Sequence, residues 1–583
     1  MARLGKDVAK DDSTIVLKGK GNLRQPDCIA TADRPFEPAW VSVPLVAEDR
    51  ETFLRIPPFP GAPVRHLAEG GRLSATAEIS AILDALRRSR VGGSFWAAQP
   101  CLPADQVLVR SSLCVELAER LYPQSNIVLW EQGQADRQVS DDIFVCSGDC
   151  DPWHMLAGAR ALFTDTEDEL RGIAALLSIP CHLITGKGGH LDAAGPARLV
   201  GEPLSRLAFV NPFTGEPIDA LDAIELCGFW RRLIDSNRGT AGGLGFAFWK
   251  QDHVAPLLWD GSSPFRFFRS PGEAKGNAPV AIWRSKALAA ADELERRGVS
   301  LIEVEDGFLR SRGLGADCVP PLSIVADRLG PHFDPSRPSE LEELLQAGDF
   351  NPGLIERARD LRRLIVEAGI GKYERATAVL ERRMAERRHI LVPGQVEDDR
   401  AVTIGGCGLA SNLELLARVR REAPDAYILF KPHPDVLAGH RRGAIPDDAC
   451  LQYADEIVGE LPIASLIAMV DEVHVNTSLA GFEALLRGKS VTAYGVPFYA
   501  GWGLTRDLGP VPERRSARRD LDELVAATLL LYPRYLDPET GLPCPAEIVV
   551  ARLSAGGEPD PGLVVGVRRL QGKLMRRLRS LVQ

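Results

Sequence analysis

From Ala278 onward, short apolar runs alternate with stretches in which apolar residues repeat at helical spacing. The apolar runs are "APVAIW", "SLIEVE", "HILVPG", "AYILF", "DEVHVN" and "SVTAYG". The amphipathic stretches between them include "SKALAAADELERRG" and "LELLARVRREAP". Buried strands alternating with amphipathic helices are typical of parallel sheets covered by helices. The pattern therefore predicts an α/β protein with two successive Rossmann-like units, which the charged helical stretch 351–388 would join.

The first 225 residues contain many prolines, yet part of them parallels the later pattern. "QVLVRSSLCVELAERLYPQSNIVLWEQG" parallels the stretch from "HILVPG" to "AYILFKPHP", and "ARALFTDTEDELRGIAALLSIPCHLITG" parallels "DEVHVNTSLAGFEALLRGKSVTAYG". We interpret this as an internal repeat, with chance similarity of two α/β segments as the alternative. The repeat would set Trp130, Glu131 and Gln132 against Lys431, Pro432 and His433, and Thr164, Asp165 and Thr166 against Asn476, Thr477 and Ser478. Since a glutamate repels phosphate, we predict that the earlier copy binds no anion.

These patterns predict four segments along the chain. They are a degenerate α/β module (1–225), a first Rossmann-like unit (226–388), a second one that binds the ligand (389–555) and a basic tail (556–583). The tail, "VRRLQGKLMRRLRSLVQ", has leucines at helical spacing between arginines and lysine, so it predicts a basic amphipathic helix. Such a helix suits a membrane surface or a phosphate-bearing lipid, and equally a terminal helix docked on its own domain.

The composition narrows the class of protein. A chain of 583 residues with 45% apolar and 25% charged residues is typical of a multidomain globular protein. The net charge of −10 argues against general nucleic-acid binding. No apolar run is long enough to cross a bilayer and the N-terminus lacks a signal-peptide core, so we expect a cytoplasmic protein. Eleven scattered cysteines, with Cys146 and Cys150 the close pair, indicate reduced thiols and no metal site.

Acidic side chains follow two of the predicted strands. Glu305 and Asp306 precede a glycine in "VEDGFLRSRGLG", which also holds Arg310, and there a carboxylate can act as acid or base. The alternative for this motif is an ordinary Asp-Gly turn. In "VPGQVEDDRAVTIGGCG", Gln395 and the acids 397–399 precede a glycine-rich loop whose amides could approach a phosphate. The alternative here is a solvated acidic loop.

Two further clusters suit an anion. In "YILFKPHPDVLAG", Lys431 and His433 can donate charge-assisted hydrogen bonds to phosphate, and the flanking prolines restrict the backbone. A structural histidine is the alternative. In "VNTSLAGFEALLRGKSV", Thr477 and Ser478 lie between a strand and a helix, where they could bind an anion, although Ser478 could serve only as a helix cap. Glu483 could bind ribose hydroxyls.

Together the four clusters predict a cleft for a nucleotide phosphate with carboxylates beside it. The chain has neither a P-loop nor a G-x-G-x-x-G motif after a first strand, which disfavours ATP and NAD. A sugar nucleotide is the ligand that this combination favours.

Five ordered motifs resemble bacterial capsule polysaccharide biosynthesis proteins of the KpsC/LpsZ type. They are "EDGFLRSRGLGADCVPPLSIVADRLGPHFDPSRPSELEELL", "LVPGQVEDD", "FKPHPDVLAGHRRG", "TSLAGFEALLRGK" and "YGVPFYAGWGLTRD", within residues Phe209 to Pro538. The resemblance implies a GT-B fold and a retaining β-Kdo glycosyltransferase that takes Kdo from CMP-Kdo and builds the linker between a lysophosphatidylglycerol anchor and the capsule chain. The motif arrangement is also similar to that of bacterial sialyltransferases, which use another CMP-activated ulosonic acid.

The same resemblance implies roles for individual residues. Asp399 would be the nucleophile of a double displacement, and Glu305 or Asp306 would be the acid/base for the acceptor hydroxyl. Contacts to CMP or to the rest of the substrate would come from Lys431, His433, Thr477, Ser478, Glu483, Gln395 and Arg310. No cofactor or metal is implied besides the donor itself.

The chain also departs from this family. Arg400 and Ala401 stand where members commonly have a small residue and serine, which leaves Asp398 and Asp399 both open as nucleophile. The first 225 residues lack the acid-acid-Gly and His-Pro motifs, so we expect one working active site. The expected partners are CMP-Kdo, a Kdo-phosphatidylglycerol-type lipid acceptor, the inner-membrane surface and other capsule assembly proteins, but no nucleic acid. The alternatives are a transferase for another CMP-ulosonic acid and a non-catalytic scaffold for capsule assembly.

Overall fold

The computed structural model describes residues 53–72, 78–131, 143–185, 188–309, 320–370, 382–439, 441–459 and 461–555. The predictions made for Arg310, Gln132 and the basic tail 556–583 lie outside these residues. The chain forms two compact units, one of residues 1–238 with 259–264 and one of residues 239–258 with 265–583. The boundary expected after residue 225 lies inside the helix Ala220–Asn237, so the division between the units comes later.

The first unit is α/β. Its strands are β1 (Ala68–Arg72), β2 (Gln106–Val109), β3 (Asn126–Glu131), β4 (Phe144–Ser147), β5 (Ala161–Thr164), β6 (Cys181–Thr185), β7 (Gly188–Leu191), β8 (Leu207–Val210) and β9 (Pro217–Ile218). Its helices are α1 (Ile79–Ser89), α2 (Val115–Leu121), α3 (Pro152–Leu156), α4 (Leu170–Leu176), α5 (Glu202–Ser205) and α6 (Ala220–Asn237), with a π-helical turn at Ala197–Gly201. Strands β1, β8 and β9 form an antiparallel sheet, and the other six form a sheet of order β4-β3-β2-β5-β6-β7.

The second unit contains two larger sheets. Its strands are β10 (Gly242–Leu244), β11 (Phe267–Phe268), β12 (Val280–Ile282), β13 (Leu301–Asp306), β14 (Ser323–Asp327), β15 (His389–Pro393), β16 (Tyr427–Lys431), β17 (Glu456–Ile457), β18 (Glu472–Val475), β19 (Ser490–Ala493), β20 (Arg506–Asp507), β21 (Arg534–Leu536) and β22 (Pro543–Cys544). Its helices are α7 (Phe248–Leu258), α8 (Leu288–Arg296), α9 (Glu340–Ala347), α10 (Pro352–Glu367), α11 (Arg400–Gly405), α12 (Asn412–Glu422), α13 (Pro434–Leu437), α14 (Asp447–Cys450), α15 (Ile463–Met469), α16 (Leu479–Leu486), α17 (Leu521–Val525) and α18 (Ala546–Ala555).

The first of these sheets has the order β11-β10-β12-β13-β14-β21-β22 and is mixed. Strands β10 to β13 are parallel, whereas β14, β21 and β22 each pair antiparallel with their neighbours. The sequence pattern predicted a parallel sheet and assigned residues up to 555 to the second Rossmann-like unit. The structure differs because β21 pairs with β14, so the chain returns to the first sheet after the second sheet is complete.

The second sheet is wholly parallel, in the order β17-β16-β15-β18-β19-β20. Its central strands are apolar on both faces, and Ile390, Val392, Ile428 and Phe430 pack with Leu416 of α12 in one buried cluster. Continuous burial of this kind is what a parallel sheet with helices on both faces requires. The second unit is therefore α/β and GT-B-like, with two Rossmann-like halves, as the sequence predicts.

The first unit repeats this arrangement. Five strands, β2 to β6, occupy the same positions in its six-stranded sheet as β15 to β19 do in the second sheet of the second unit. The edge strands differ, because β7 is antiparallel to β6 whereas β20 is parallel to β19. The common strand order supports the internal repeat inferred from sequence. Among the described residues, no helix combines the length and the apolar character needed to span a bilayer.

Candidate active site

Three neighbouring strands of the second sheet end at the predicted ligand-binding motifs. The strands β16, β15 and β18 are adjacent, and the residues that follow them include His433, Gln395 and Thr477 respectively. Parallel strands have their carboxyl ends at one edge of the sheet, which is where open α/β sheets bind ligands. The fold thus brings three of the four predicted clusters to one edge.

Gln395 is the residue that connects two of these strand ends. Its side-chain amide donates to Thr477 Oγ1 at 2.9 Å and its Oε1 accepts from the Thr477 N–H at 2.9 Å. The backbone of Gln395 is held in the same way by Asn412, whose Oδ1 and Nδ2 bond to the Gln395 N–H and carbonyl, both at 2.8 Å. This network fixes the loops after β15 and β18 relative to each other.

Asp399, His433 and Ser478 each begin a helix at this edge. The Ser478 hydroxyl accepts from the Ala480 N–H at 3.2 Å, so the capping role considered from sequence is present. His433 caps α13 through Nδ1, which accepts from the Asp435 N–H at 3.2 Å. Because Nδ1 accepts a hydrogen bond, the proton of a neutral His433 ring lies on Nε2. The ring is thereby oriented with a donor at the end away from its own helix.

Lys431 and Glu483 are buried, each with a relative exposure of 7%. Lys431 Nζ donates to the carbonyls of Gly459 and Leu461, at 3.1 and 2.6 Å. Lys431 therefore holds the loop that follows β17, a structural role that the sequence did not reveal. Its contact with phosphate, and the contact of Glu483 with ribose, stay predictions.

Asp398 and Asp399 differ in their surroundings although both are about half exposed. Asp398 accepts from the Arg441 guanidinium, at 3.2 and 3.3 Å. Asp399 caps α11 by accepting from the Ala401 N–H at 3.4 Å, and Arg441 lies 3.8 Å from its Oδ1. The ion pair holds Asp398, while the cap holds Asp399 at the start of α11.

The fourth predicted cluster lies at the end of β13, in the first sheet, where it meets α11 of the second half. Arg400, the first residue of α11, contacts Glu305 at 3.1 Å and the buried Glu303 at 3.4 Å. Glu303 also pairs with Arg284 at 2.7 Å and Arg337 at 2.6 Å. Arg400 thus joins the acidic strand end of one half to the helix that Asp399 caps in the other.

Asp306, the last residue of β13, has a different cation. Lys250 of α7 lies 2.8 Å from its Oδ1, and the ammonium also lies 3.6 Å from the centroid of the Trp283 ring. A cation above an aromatic face is attracted by the ring quadrupole. The two carboxylates of the motif therefore have different ion-pair partners, since Asp306 pairs with Lys250 and Glu305 pairs with Arg400.

Burial raises the pKa of Glu305 to about 7, which is well above the usual value for a glutamate. The Arg400 guanidinium opposes this increase, whereas the neighbouring Asp306 and Glu303 add to it. A carboxyl group that titrates near neutrality can exchange a proton with a hydroxyl at working pH. Glu305 is thereby better suited than an ordinary surface glutamate to act as acid or base.

The residues that sequence reasoning missed are the partners of the predicted ones. Arg400 was noticed only as a departure from the family pattern, although a cation next to three acids suggests a local ion pair. Lys250 in "AFWKQDH" stands among aromatic residues, which is a weak signal for a buried cation. Nothing in the sequence around Asn412 indicated its contact with Gln395. No group of three or more metal-ligating side chains is present among the described residues.

Comparisons with known proteins identify the family of the chain. A family model for capsule polysaccharide biosynthesis proteins matches residues 281–379 and 365–535. The capsule polysaccharide modification protein LipA of Neisseria meningitidis serogroup A is 40% identical over 337 residues, which are 57% of this chain and 48% of LipA. The chain therefore spans about half the length of that relative.

Two other relatives are matched over most of their length. A solved structure of the Thermosulfurimonas dismutans KpsC beta Kdo 2,4 transferase is 32% identical, over 55% of this chain and 99% of that chain, with a TM-score of 0.48. The lipopolysaccharide-processing protein LpsZ of Rhizobium meliloti is 42% identical over 358 residues, which are 58% of this chain and 80% of LpsZ. The chain belongs to the capsule polysaccharide biosynthesis family of the KpsC/LpsZ type.

Proposed function

We propose that this chain is a retaining glycosyltransferase that moves Kdo from CMP-Kdo to a lipid-linked acceptor in capsule polysaccharide synthesis. The observation that carries the proposal is the contact between Arg400 and Glu305. It brings a carboxyl group that titrates near neutrality next to the helix that Asp399 begins. The name of the related KpsC structure, a beta Kdo 2,4 transferase, supports the choice of sugar.

In the proposed reaction Asp399 is the nucleophile. Its carboxylate attacks the anomeric carbon of Kdo, the bond from that carbon to the CMP phosphate oxygen breaks, and CMP leaves with the electron pair. The acceptor hydroxyl then attacks the same carbon and gives its proton to Glu305, while the bond to Asp399 breaks. Two inversions retain the configuration. Glu305 must be ionised for the second step and afterwards releases the proton to solvent.

CMP is the leaving group, so its phosphate must be stabilised as charge develops. We assign this task to the His433 ring, with its proton on Nε2, and to the hydroxyls of Thr477 and Ser478. The Gln395–Thr477 hydrogen bonds support this assignment because they order the loop before any ligand arrives. Lys431 and Glu483 are proposed as further phosphate and ribose contacts. The proposal includes no metal or other cofactor.

For the acceptor we propose a Kdo-phosphatidylglycerol-type lipid at the inner-membrane surface. The basic segment 556–583 would supply the attraction to anionic lipids, and deletion of the residues after Leu563 should then reduce binding to anionic vesicles. We further propose that the first unit is a degenerate module that serves acceptor binding or assembly with other capsule proteins. Its strand order supports descent from a ligand-binding half.

The test is incubation of the full chain with CMP-Kdo and a synthetic lipid that carries a terminal Kdo. We expect a product one Kdo heavier and free CMP, and NMR should show a β linkage. CMP-activated sialic acid in parallel tests the alternative donor. Transfer of sialic acid but not of Kdo would show that CMP-Kdo is not the donor. An inverted linkage would reject the double displacement, and absence of transfer with either donor would reject the proposed activity.

A further inference from the structure

Arg400 connects the two residues that would carry the proposed reaction. It directly follows Asp399, and its guanidinium reaches Glu305 at 3.1 Å on the other half of the second unit. Glu305 lies on β13 of the first sheet, whereas Asp399 caps α11 after β15 of the second sheet, so their separation is set only by tertiary contacts. The guanidinium also lies 5.1 Å from the centroid of the Phe333 ring, which restricts its orientation.

Arg400 is not needed to neutralise the Glu303 carboxylate. Glu303 already has Arg284 at 2.7 Å and Arg337 at 2.6 Å, both closer than Arg400 at 3.4 Å. Glu305, in contrast, has one cation within ion-pair distance among the described residues, and that cation is Arg400. The geometry therefore indicates that Glu305 is the carboxylate that depends on Arg400.

We propose that Arg400 is a positioning residue, which holds the Glu305 carboxylate at a fixed place and in a fixed charge environment relative to the Asp399 carboxylate. This inference rests on the proposed function, because it assigns Glu305 and Asp399 their roles. It also gives a reason for the departure from the family pattern at this position. Arg400 directly follows the proposed nucleophile Asp399 and contacts the proposed base Glu305.

The charged groups around Glu305 define what should change with pH. Glu303 and Asp306 lie on its own strand, Lys250 on α7 and Arg400 on α11, and Tyr532 interacts with it electrostatically. Arg400 favours the ionised carboxylate, whereas the two acids and burial oppose it. Loss of the Arg400 charge should therefore raise the pKa of Glu305, so that the base form appears only at higher pH.

The experiment compares R400M, R400K and a matched control, R337M. Arg337 also pairs with Glu303 but has no described contact with Glu305. Transfer rates are measured across neutral pH, with kcat separated from KM. We expect R400M to lose about 10²-fold in kcat and to shift the acid limb of its profile to higher pH. R400K should restore the position of the limb, and R337M should leave it unchanged.

A second readout needs no turnover. The side-chain carboxyl signal of Glu305 is titrated by NMR in protein labelled with ¹³C-glutamate, and it is assigned by its loss in E305Q. We expect the titration midpoint to rise in R400M but not in R337M. Equal midpoints in R400M and the unsubstituted chain, or an equal shift in R337M, would overturn the inference. If the unsubstituted chain transfers no Kdo, the proposed function fails while this titration still decides the effect of Arg400 on Glu305.

Discussion

Gln395 and Thr477 are joined by two hydrogen bonds of 2.9 Å that run in opposite directions. The Gln395 amide donates to the Thr477 hydroxyl and accepts from the Thr477 backbone. This pair connects the loop of the candidate nucleophile, after β15, to the loop of the candidate phosphate ligands, after β18. The two loops are 82 residues apart in sequence, so they are ordered as one structure only in the folded protein.

Substitution Q395A should weaken donor binding more than it slows the chemical step. Each lost hydrogen bond is worth about 0.5–1.5 kcal/mol, so KM for CMP-Kdo should rise about 10-fold with a smaller change in kcat. The control is Q346A. Gln346 makes the same kind of two-way contact, to Ser516, and neither residue has a proposed role in the reaction. An equal rise of KM in both variants would indicate a general loss of stability instead.

Substitution D399N should abolish transfer and D398N should not. Asparagine is also a good helix N-cap, so D399N retains the fold of α11 but lacks the nucleophile. We expect a loss of at least about 10³-fold in kcat. D398N removes an exposed ion pair with Arg441, which is worth only about 0–1 kcal/mol. Mass spectrometry should find a Kdo adduct on Asp399 in the slowed E305Q variant, and an adduct on Asp398 would reverse the assignment.

The Glu305 carboxyl should make the stability of the fold depend on pH. Its pKa is raised to about 7 in the folded protein, so the folded state binds a proton that the unfolded state releases. The resulting stabilisation is fully present below the ordinary glutamate pKa and is lost as the pH rises through 7. As the pH rises between those limits, the free energy of unfolding of E305Q should increase by up to about 3 kcal/mol relative to that of the unsubstituted chain.

Denaturant unfolding of both proteins at several pH values measures this difference. The control is E414Q, since Glu414 lies on the exposed face of α12 and pairs only with Arg418 in the described structure. A difference between E305Q and the unsubstituted chain that does not vary with pH would contradict the assignment of the raised pKa.

Substitution H433N should weaken CMP binding while keeping its helix cap. The asparagine oxygen can accept from the Asp435 N–H as Nδ1 does, but the donor at Nε2 is lost. One charge-assisted hydrogen bond contributes about 1.5–3 kcal/mol, so calorimetry should show a Kd at least about 10-fold higher. S411A, which removes only the cap of α12, should leave the Kd unchanged. If H433N and the unsubstituted chain bind CMP with equal affinity, His433 does not bind the phosphate.

The first unit should bind no nucleotide. At the edge of its sheet, Arg110 pairs with Asp168 at 2.9 Å and donates to the Trp130 carbonyl at 2.7 Å, with the guanidinium 4.3 Å from the centroid of the Trp130 ring. These contacts engage Arg110 and Asp168 at the strand ends that correspond to the candidate site of the second unit. Calorimetry should therefore give one CMP per chain, and D165N should transfer Kdo at the unsubstituted rate. A second CMP, or a large loss in D165N, would contradict the degenerate role.

Much of the fold could be predicted because burial on both sides leaves a continuous apolar run in each central strand. The runs "HILVPG", "AYILF", "DEVHVN" and "SVTAYG" correspond to β15, β16, β18 and β19. The edge strands β17 and β20 are two residues long and carry no such pattern. The return of β21 to the first sheet was also missed, since pairing with a strand more than 200 residues earlier leaves no local periodicity.

The site was predictable as far as strand ends determine it. Glu305, Asp399, His433 and Thr477 were chosen as candidates because polar residues at or shortly after the end of a buried strand lie at the edge of the sheet, and the structure places them there. Their roles stay predictions. Their partners were not found from sequence. Lys431 shows the limit of this reasoning, because the rule identified a candidate phosphate ligand but gave no sign that the same ammonium holds two backbone carbonyls.

The sequence by itself determined which segments are buried strands, where they end, that Ser478 lies at the start of a helix, and which family the chain resembles. These features follow from local patterns of apolar residues and caps. Only the tertiary structure decided that Arg400 contacts Glu305, that Gln395 contacts Thr477, and that the first sheet is mixed. Each of these depends on residues far apart in the chain, whose approach is set by the packing of whole sheets and helices.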